Sequence, residues 1–361
     1  MKNNNRFIFI LISVVCSVLV LGSCANFNFN LNSNKEPVAA PPYPNANFAI
    51  ISDIHIWDPS LGSTEPRFIQ EVGSSSTAYL NSIPYLDAAI EKIIDSGVSF
   101  VLVCGDLTRE GELVNHQIVA DKLKKLTDAK IKVFVIPGNH DIQNGNAVSF
   151  AGDVKKSVPY ISHAQFARIY ADYGFNTALS RDEYSLSYVT EPVNGLWLLS
   201  IDSNQYRNTL VGRGATFGGG LISQATANWI NNVLRDAQNR NKAVIVMIHQ
   251  ALIASTASQQ SNMALYMVKN YENVSKMLAS WNVRVAFTGH NHSQSVGRAD
   301  FGDKYIYDIQ TGSLSRSSPY PIRYIEIKDN VMNVSTESVS ESVSASDSFR
   351  TNAVNFFTVP F

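Results

Sequence analysis

The chain has 361 residues, 45% of them hydrophobic and 16% charged, a balance that excludes an intrinsically disordered polypeptide. Lys and Arg number 29 against 30 Asp and Glu, so there is no basic field to hold a polyanion and no nucleic-acid binding is expected. The three cysteines, Cys16, Cys24 and Cys104, have spacings unlike a paired-Cys metal site and exclude a disulfide scaffold.

Lys2 and Arg6 precede an apolar run over residues 7–21, interrupted by Ser13 and Ser17 and followed by Gly22 and Ser23. This is a signal-peptide pattern, shorter than the roughly 20 residues of a membrane-spanning helix. Leu21-Gly22-Ser23-Cys24 resembles the bacterial lipobox, in which cleavage leaves the cysteine as an acylated first residue. The resemblance implies a lipoprotein signal over residues 1–23 and lipid attachment at Cys24. It makes the membrane a partner and places the mature chain in the bacterial cell envelope, outside the cytoplasm. Cys104 is then the one remaining thiol, and no intramolecular disulfide can form. Residues 24–47 are rich in Asn and Pro and read as a flexible tether spanning at most about 80 Å.

From residue 48 onward short β-branched runs alternate with helical periodicity, which predicts an α/β domain over residues 48–333. Buried strands are expected at 48–52, 98–103, 131–136, 196–201, 243–248 and 284–288. Helices are expected at 80–96, 112–128, 162–173, 223–239 and 267–281, where apolar residues recur at three and four. Residues 184–190, 304–308 and 320–328 alternate like strands with one wet face. Residues 334–361 read as a tail whose Ser-rich part is loose, with alternating valines that allow an edge strand.

Polar clusters follow the strands: Asp53-Ile54-His55, Gly105-Asp106, Gly138-Asn139-His140-Asp141, His249, and Gly289-His290-Asn291-His292. They hold five of the seven histidines. Residues i and i+2 of an extended segment face one side, so Asp53 with His55, and His290 with His292, are expected to aim together. Parallel strands gather their carboxyl ends along one edge, where such clusters converge. Asp, Asn and His without a thiolate suit manganese, iron or zinc. Gly105, Gly138 and Gly289 fit tight turns from strand to loop.

The ordered set DxH, GD, GNHD, H, GHxH resembles the calcineurin-like metallophosphoesterase superfamily and spans most of the mature chain. The resemblance implies a four-layer sandwich of two central β-sheets flanked by helices. It implies two divalent metal ions, one on Asp53, His55 and His292 and the other on Asn139, His249 and His290, bridged by Asp106. A hydroxide between them would attack phosphorus of a small phosphoester substrate, and His140 would stabilise the phosphoryl charge or protonate the leaving group. Asp141 receives no firm role.

Gly105-Asp106-Leu107-Thr108 is similar to the class III cyclic-nucleotide phosphodiesterase branch, and residues 166–189 and 196–204 resemble bacterial proteins of that type. Arg109 and Glu110 depart from the Asp-Arg pair of the protein Ser/Thr phosphatases, and Arg109 stands where purple acid phosphatases carry a metal-binding Tyr. The expected activity is phosphodiester hydrolysis outside the cytoplasm. Phosphomonoester hydrolysis and a binding module with a vestigial metal site are the alternatives. His116 reads as a solvated helix residue, His163 as a cap or surface residue, and Cys104 as a small core hydrophobe. Gly218-Gly219-Gly220 reads as an active-site loop or a plain linker. Arg207 and Arg213 read as solvated charges, with contact to a substrate phosphate as the alternative.

Overall fold

The computed structural model describes residues 40–72, 79–206, 218–316, 320–339 and 357–360. The predicted signal, Cys24 and most of the tether lie outside the described residues, as do Arg207, Arg213 and the Ser-rich stretch after residue 339. Among the described residues, no helix is long and apolar enough to cross a membrane.

The first sheet contains β1 (Ala46–Ile51), β2 (Phe100–Val103), β3 (Lys132–Val135), β13 (Pro321–Lys328), β14 (Val331–Ser338) and β15 (Phe357–Pro360), in the order β15-β14-β13-β1-β2-β3. The second contains β6 (Ser180–Arg181), β7 (Tyr188–Val193), β8 (Leu196–Ile201), β9 (Ala243–Ile248), β10 (Val285–Thr288), β11 (Ser295–Phe301) and β12 (Lys304–Gln310), in the order β11-β12-β10-β9-β8-β7-β6. A small hairpin joins β4 (Val148–Ser149) to β5 (Lys156–Ser157). Strands β1, β2 and β3 run parallel, as do β8, β9, β10 and β12. Strands β8 and β9 are buried at every residue, the signature of parallel strands covered on both faces.

The sheets meet through one continuous apolar core, in which Phe48 stacks on Phe100 at 4.5 Å and meets Phe287 of the second sheet edge-on at 5.4 Å. Helices α2 (Ser82–Ser96) and α3 (Leu113–Asp128) cover the first sheet; α5 (Gln224–Asn239) and α8 (Tyr271–Ser280) cover the second. The result is the expected four-layer sandwich. Helix α1 (Pro66–Glu71) packs with the β4–β5 hairpin around Trp57, while α4 (His163–Ile169), α6 (Ala257–Ser261) and α7 (Met263–Tyr266) are short connectors. Ser223 caps α5 through the Thr226 N–H, and Ser162 with Gln165 forms a capping box on α4.

Several boundaries differ from expectation. Met267 and Val268 bridge to Ala251 and Gly220, so α8 starts only at Tyr271. Asp182 accepts hydrogen bonds from Tyr184 N–H and Ser185 Oγ–H, holding a turn where a strand was expected, and β7 begins at Tyr188. Residues 334–338, the start of the predicted tail, form the strand that their alternating valines allowed: they belong to β14, which lies between β13 and β15 and is not an edge. The end of the tether is also built in: Tyr43 is buried, its hydroxyl donating to Val244 O and accepting from Arg284 N–H.

One buried carboxylate ties the strand ends together. Asp308 of β12 accepts from Leu252 N–H (2.7 Å), Ile253 N–H (3.0 Å) and Thr288 Oγ–H (2.6 Å), fixing the turn after β9 onto β10. Burial pushes its carboxyl from 3.8 up to about 6, although these three donors favour the ionised form. A raised folded value means that this contribution is full below the unfolded value and lost as pH rises through 6. Relative to Asp308→Asn, the natural chain is expected to lose about 2 kcal/mol of stability between pH 4 and 6. Asn keeps the three contacts with the Thr288 hydroxyl reversed, and denaturant melts at both pH values check the difference; parallel curves would contradict it.

Candidate metal centre

The clusters converge where the carboxyl ends of β1, β2 and β3 face those of β9 and β10. Their local geometry is not the extended one expected. Asp53, His55, Asp106, His290 and His292 all have positive φ, from 46° to 68°, a left-handed backbone that costs non-glycine residues energy and occurs at functional sites. Asp53 and His55 aim together because their loop zips onto its neighbour: Asp53 N–H donates to Gly105 O, His55 N–H to Asp106 O and Ile56 N–H to Leu107 O, each at 3.0 Å.

Two ligand sets share one residue. Candidate ligand atoms of Asp53, His55, Asp106 and His292 all lie within 4.8 Å of one another, and those of Asp106, His249 and His290 do the same. In the first set His292 Nε2 is 3.1 Å from both Asp53 Oδ1 and His55 Nε2. In the second, His249 Nε2 is 3.1 Å from Asn139 Oδ1 and 3.3 Å from Asp106 Oδ2. Asp106 Oδ1 accepts the His140 N–H at 2.9 Å, leaving Oδ2 toward His249 and, at 3.8 Å, His55.

Proton positions fit a cation. His249 Nδ1–H donates to Cys104 O and His290 Nε2–H to Leu265 O, which leaves His290 Nδ1, and His249 Nε2 once a cation displaces its proton, as lone-pair donors to a metal. His290 Nδ1 is buried without a hydrogen-bond partner. Burial holds His55 down at about 3 and His290 at about 4, so both are neutral imidazoles able to ligate. Burial also opposes charge on His249, but the Asp106 carboxylate outweighs it and lifts His249 to about 9. Desolvation works against the buried Asp53 and Asp106 carboxylates, yet the surrounding imidazoles keep both ionised, Asp53 at about 2 and Asp106 well below the usual range. This oxygen and imidazole set fits divalent cations.

Glycines set the approach distances. A Cβ at Gly138 would overlap the Asp106 backbone N and carboxylate, and one at Gly289 would overlap Ser52 Oγ and reach 2.6 Å from Asp53 Oδ2. Gly289→Ala is therefore expected to weaken manganese binding by about 10–100-fold, measured by calorimetric titration. Wild-type affinity in that variant would show that the loop yields without cost.

Supporting residues were only partly legible. Asp141 accepts from Gly138 N–H (2.8 Å), Leu107 N–H (3.1 Å) and Thr108 N–H (3.0 Å), stapling the loops after β2 and β3. His116 is not solvated: it is buried on α3, with Nε2–H donating to Asp141 O and Nδ1 accepting from Tyr170 Oη–H, each at 2.9 Å. Ser162 provides the α4 cap, and His163 instead stacks on Tyr206. Cys104 is a buried hydrophobe as expected. Gly218 lies beside the centre, where an added Cβ would be 2.6 Å from Leu265 O and 3.6 Å from His290 Nε2. Glu110 was missed: its Oε2 accepts from His140 Nδ1–H (3.3 Å) and Asn144 Nδ2–H (2.6 Å). Its place four residues after Asp106 was the available signal. Burial opposes protonation of His140, but Asp106 and the Glu110 contact raise it to about 10.

Residues 46–294 match the calcineurin-like phosphoesterase family. The chain belongs to that family. This phosphoesterase is similar to a manganese-dependent ADP-ribose/CDP-alcohol diphosphatase of Arabidopsis thaliana, 25% identical over 324 residues, covering 82% of this chain and 95% of the relative. Its fold resembles a dimetal phosphatase from Danio rerio (TM-score 0.62, 15% identity, 88% of this chain and 99% of that one). It also resembles a purple acid phosphatase from Lupinus luteus (TM-score 0.52, 11% identity, 89% of this chain and 55% of that one). The chain is a hydrolase of phosphoric esters whose centre suits divalent metal.

Proposed function

We propose that this phosphoesterase binds two divalent cations and hydrolyses a phosphodiester outside the cytoplasm. Asp53, His55 and His292 would hold one ion, Asn139, His249 and His290 the other, and Asp106 both. The observation that carries this is the membership of Asp106 in both converging ligand sets. Bound cations supply Lewis acidity and a nucleophilic water at neutral pH. The chain's own residues orient the rest: Asp106 Oδ1 fixes the backbone of His140, and Glu110 fixes its Nδ1–H. Nε2 is then left to hydrogen-bond the phosphoryl group or to protonate the leaving oxygen.

A second reading, a diphosphate-linked nucleotide as substrate, is favoured by the activity named for the Arabidopsis relative. The two readings share a phosphorus with two bridging oxygens. The test is hydrolysis of bis(p-nitrophenyl) phosphate, p-nitrophenyl phosphate and ADP-ribose by the detergent-solubilised full chain with manganese. Diester turnover supports the first reading, ADP-ribose turnover the second, and monoester turnover alone rejects both. No turnover by dimetal-loaded protein points to a binding module.

The envelope location rests on the residue 21–24 pattern. Fatty-acid labelling is expected in the natural chain and absent in Cys24→Ala; labelling of both would remove Cys24 as the attachment site.

A further inference from the structure

The loop over residues 289–294, which carries His290 and His292, is closed at its base by one residue. Thr288, the last residue of β10, pairs in parallel with Gln310 of β12, and Ser295, the first residue of β11, pairs with Gln310 from the other side. Both ends of the loop are therefore set against the backbone of a single position. The side chain of that position holds the middle of the loop: Gln310 is fully buried, and its Oε1 accepts from Asn291 Nδ2–H at 2.9 Å. Asn291 stands between His290, of one ligand set, and His292, of the other.

The same amide reaches the segments around the other ligands. Its Oε1 also accepts from Gln259 Nε2–H of α6, and its Nε2–H donates to Ile253 O at 3.1 Å. Ile253 lies in the turn that follows His249, and α6 leads to Leu265, whose carbonyl takes the His290 Nε2–H. The orientation of the Gln310 amide is fixed by its partners. Ile253 O can only accept, so Nε2 faces it; Gln259 Oε1 is taken by Ser255 N–H and Thr256 N–H, so the Gln259 NH2 group faces Gln310 Oε1. Gln310 O is held in turn by Arg323 Nε–H at 3.2 Å and Nη2–H at 2.7 Å, which steadies the base from which the side chain reaches out. A buried amide that uses both its acceptor and its donor holds its neighbours in one arrangement, and an apolar side chain of the same length leaves those neighbours unpaired.

We propose that Gln310 is the positioning residue for His290 and His292, holding the loop between them so that each imidazole reaches its own ion. This rests on the two-ion reading of the centre. Gln310 touches neither histidine side chain and acts through Asn291.

Manganese is titrated calorimetrically into the detergent-solubilised full chain, and the histidine side chains are followed by NMR in the metal-free state. Gln310→Met keeps the length and removes the amide, and is expected to weaken manganese binding by about 10–100-fold. Asn291→Ala cuts the same bond from its half-buried end, so it gives a second reading if the core rejects Met, and a loss of about ten-fold is expected. The double variant is expected to bind within about two-fold of the weaker single variant, because the two changes remove one shared contact. In the metal-free chain the resonances of His290 and His292 are expected to move in both single variants, while those of His116 and His163, which pack on Tyr170 and Tyr206, stay in place. Natural affinity in both single variants, losses that multiply in the double variant, or unmoved His290 and His292 resonances would overturn the proposal. Movement of those two histidines in a chain that binds fewer than two manganese ions supports the positioning role and rejects the two-ion reading; two bound ions with natural affinity in the variants does the reverse.

Discussion

Asp106→Asn is expected to lower kcat/KM by about a thousand-fold, close to 4 kcal/mol, and to leave the chain with less than its full metal content. The carboxylate presents Oδ1 to the His140 N–H and Oδ2 to His249 at 3.3 Å. An amide has one oxygen. If it keeps the His140 contact, its NH2 group points at the lone pairs and cations of the centre; if it turns, it loses His140. The fold should survive, because the loop is held by His55 N–H on Asp106 O and by Asp141 on Leu107 and Thr108. Metal analysis, melting temperature and turnover on one preparation check this. Full metal content with turnover within ten-fold of the natural chain would remove Asp106 from the bridging position.

His140→Ala is expected to reduce kcat by about 10²–10⁴-fold while the metals stay bound, since the His140 backbone N–H, not its ring, contacts Asp106. Glu110→Gln should cost about ten-fold and move the pH profile. Glu110 helps raise His140 toward 10, working against burial. Removing the carboxylate charge lowers that value, and a group acting in its protonated form then loses activity at lower pH. The alkaline limb of the profile should therefore shift downward in Glu110→Gln and disappear as a distinct limb in His140→Ala. An unchanged limb in both variants would show that His140 titration does not govern the rate, and metal loss in His140→Ala would assign it to the ligand shell instead.

By itself the sequence determined the strand cores and the polar clusters that follow them. Residues 196–201 and 243–248 match β8 and β9 to the residue, because fully buried parallel strands are continuous apolar runs with sharp polar ends. The clusters were legible because each is contiguous: GD, GNHD and GHNH keep ligand and turn residue within a few positions, and their likeness to a family supplied the grouping into two metal sets.

Tertiary structure decided whatever depends on which element packs on which. Asp53 and His55 point together through left-handed backbone held by the neighbouring loop, not through strand alternation. His116 has the spacing of an exposed helix residue, but α4 and the Asp141 turn close over it. Glu110 becomes the partner of His140, and Asp141 a staple, only when the loops after β2 and β3 meet. The alternating valines of residues 334–338 allow a strand, but only the folded chain supplies β13 and β15 as the neighbours it pairs with. Local period and turn chemistry are properties of a few adjacent residues and can be read in one dimension. Burial, ionisation and hydrogen-bond satisfaction belong to groups brought together from distant parts of the chain, and the folded arrangement alone fixes them.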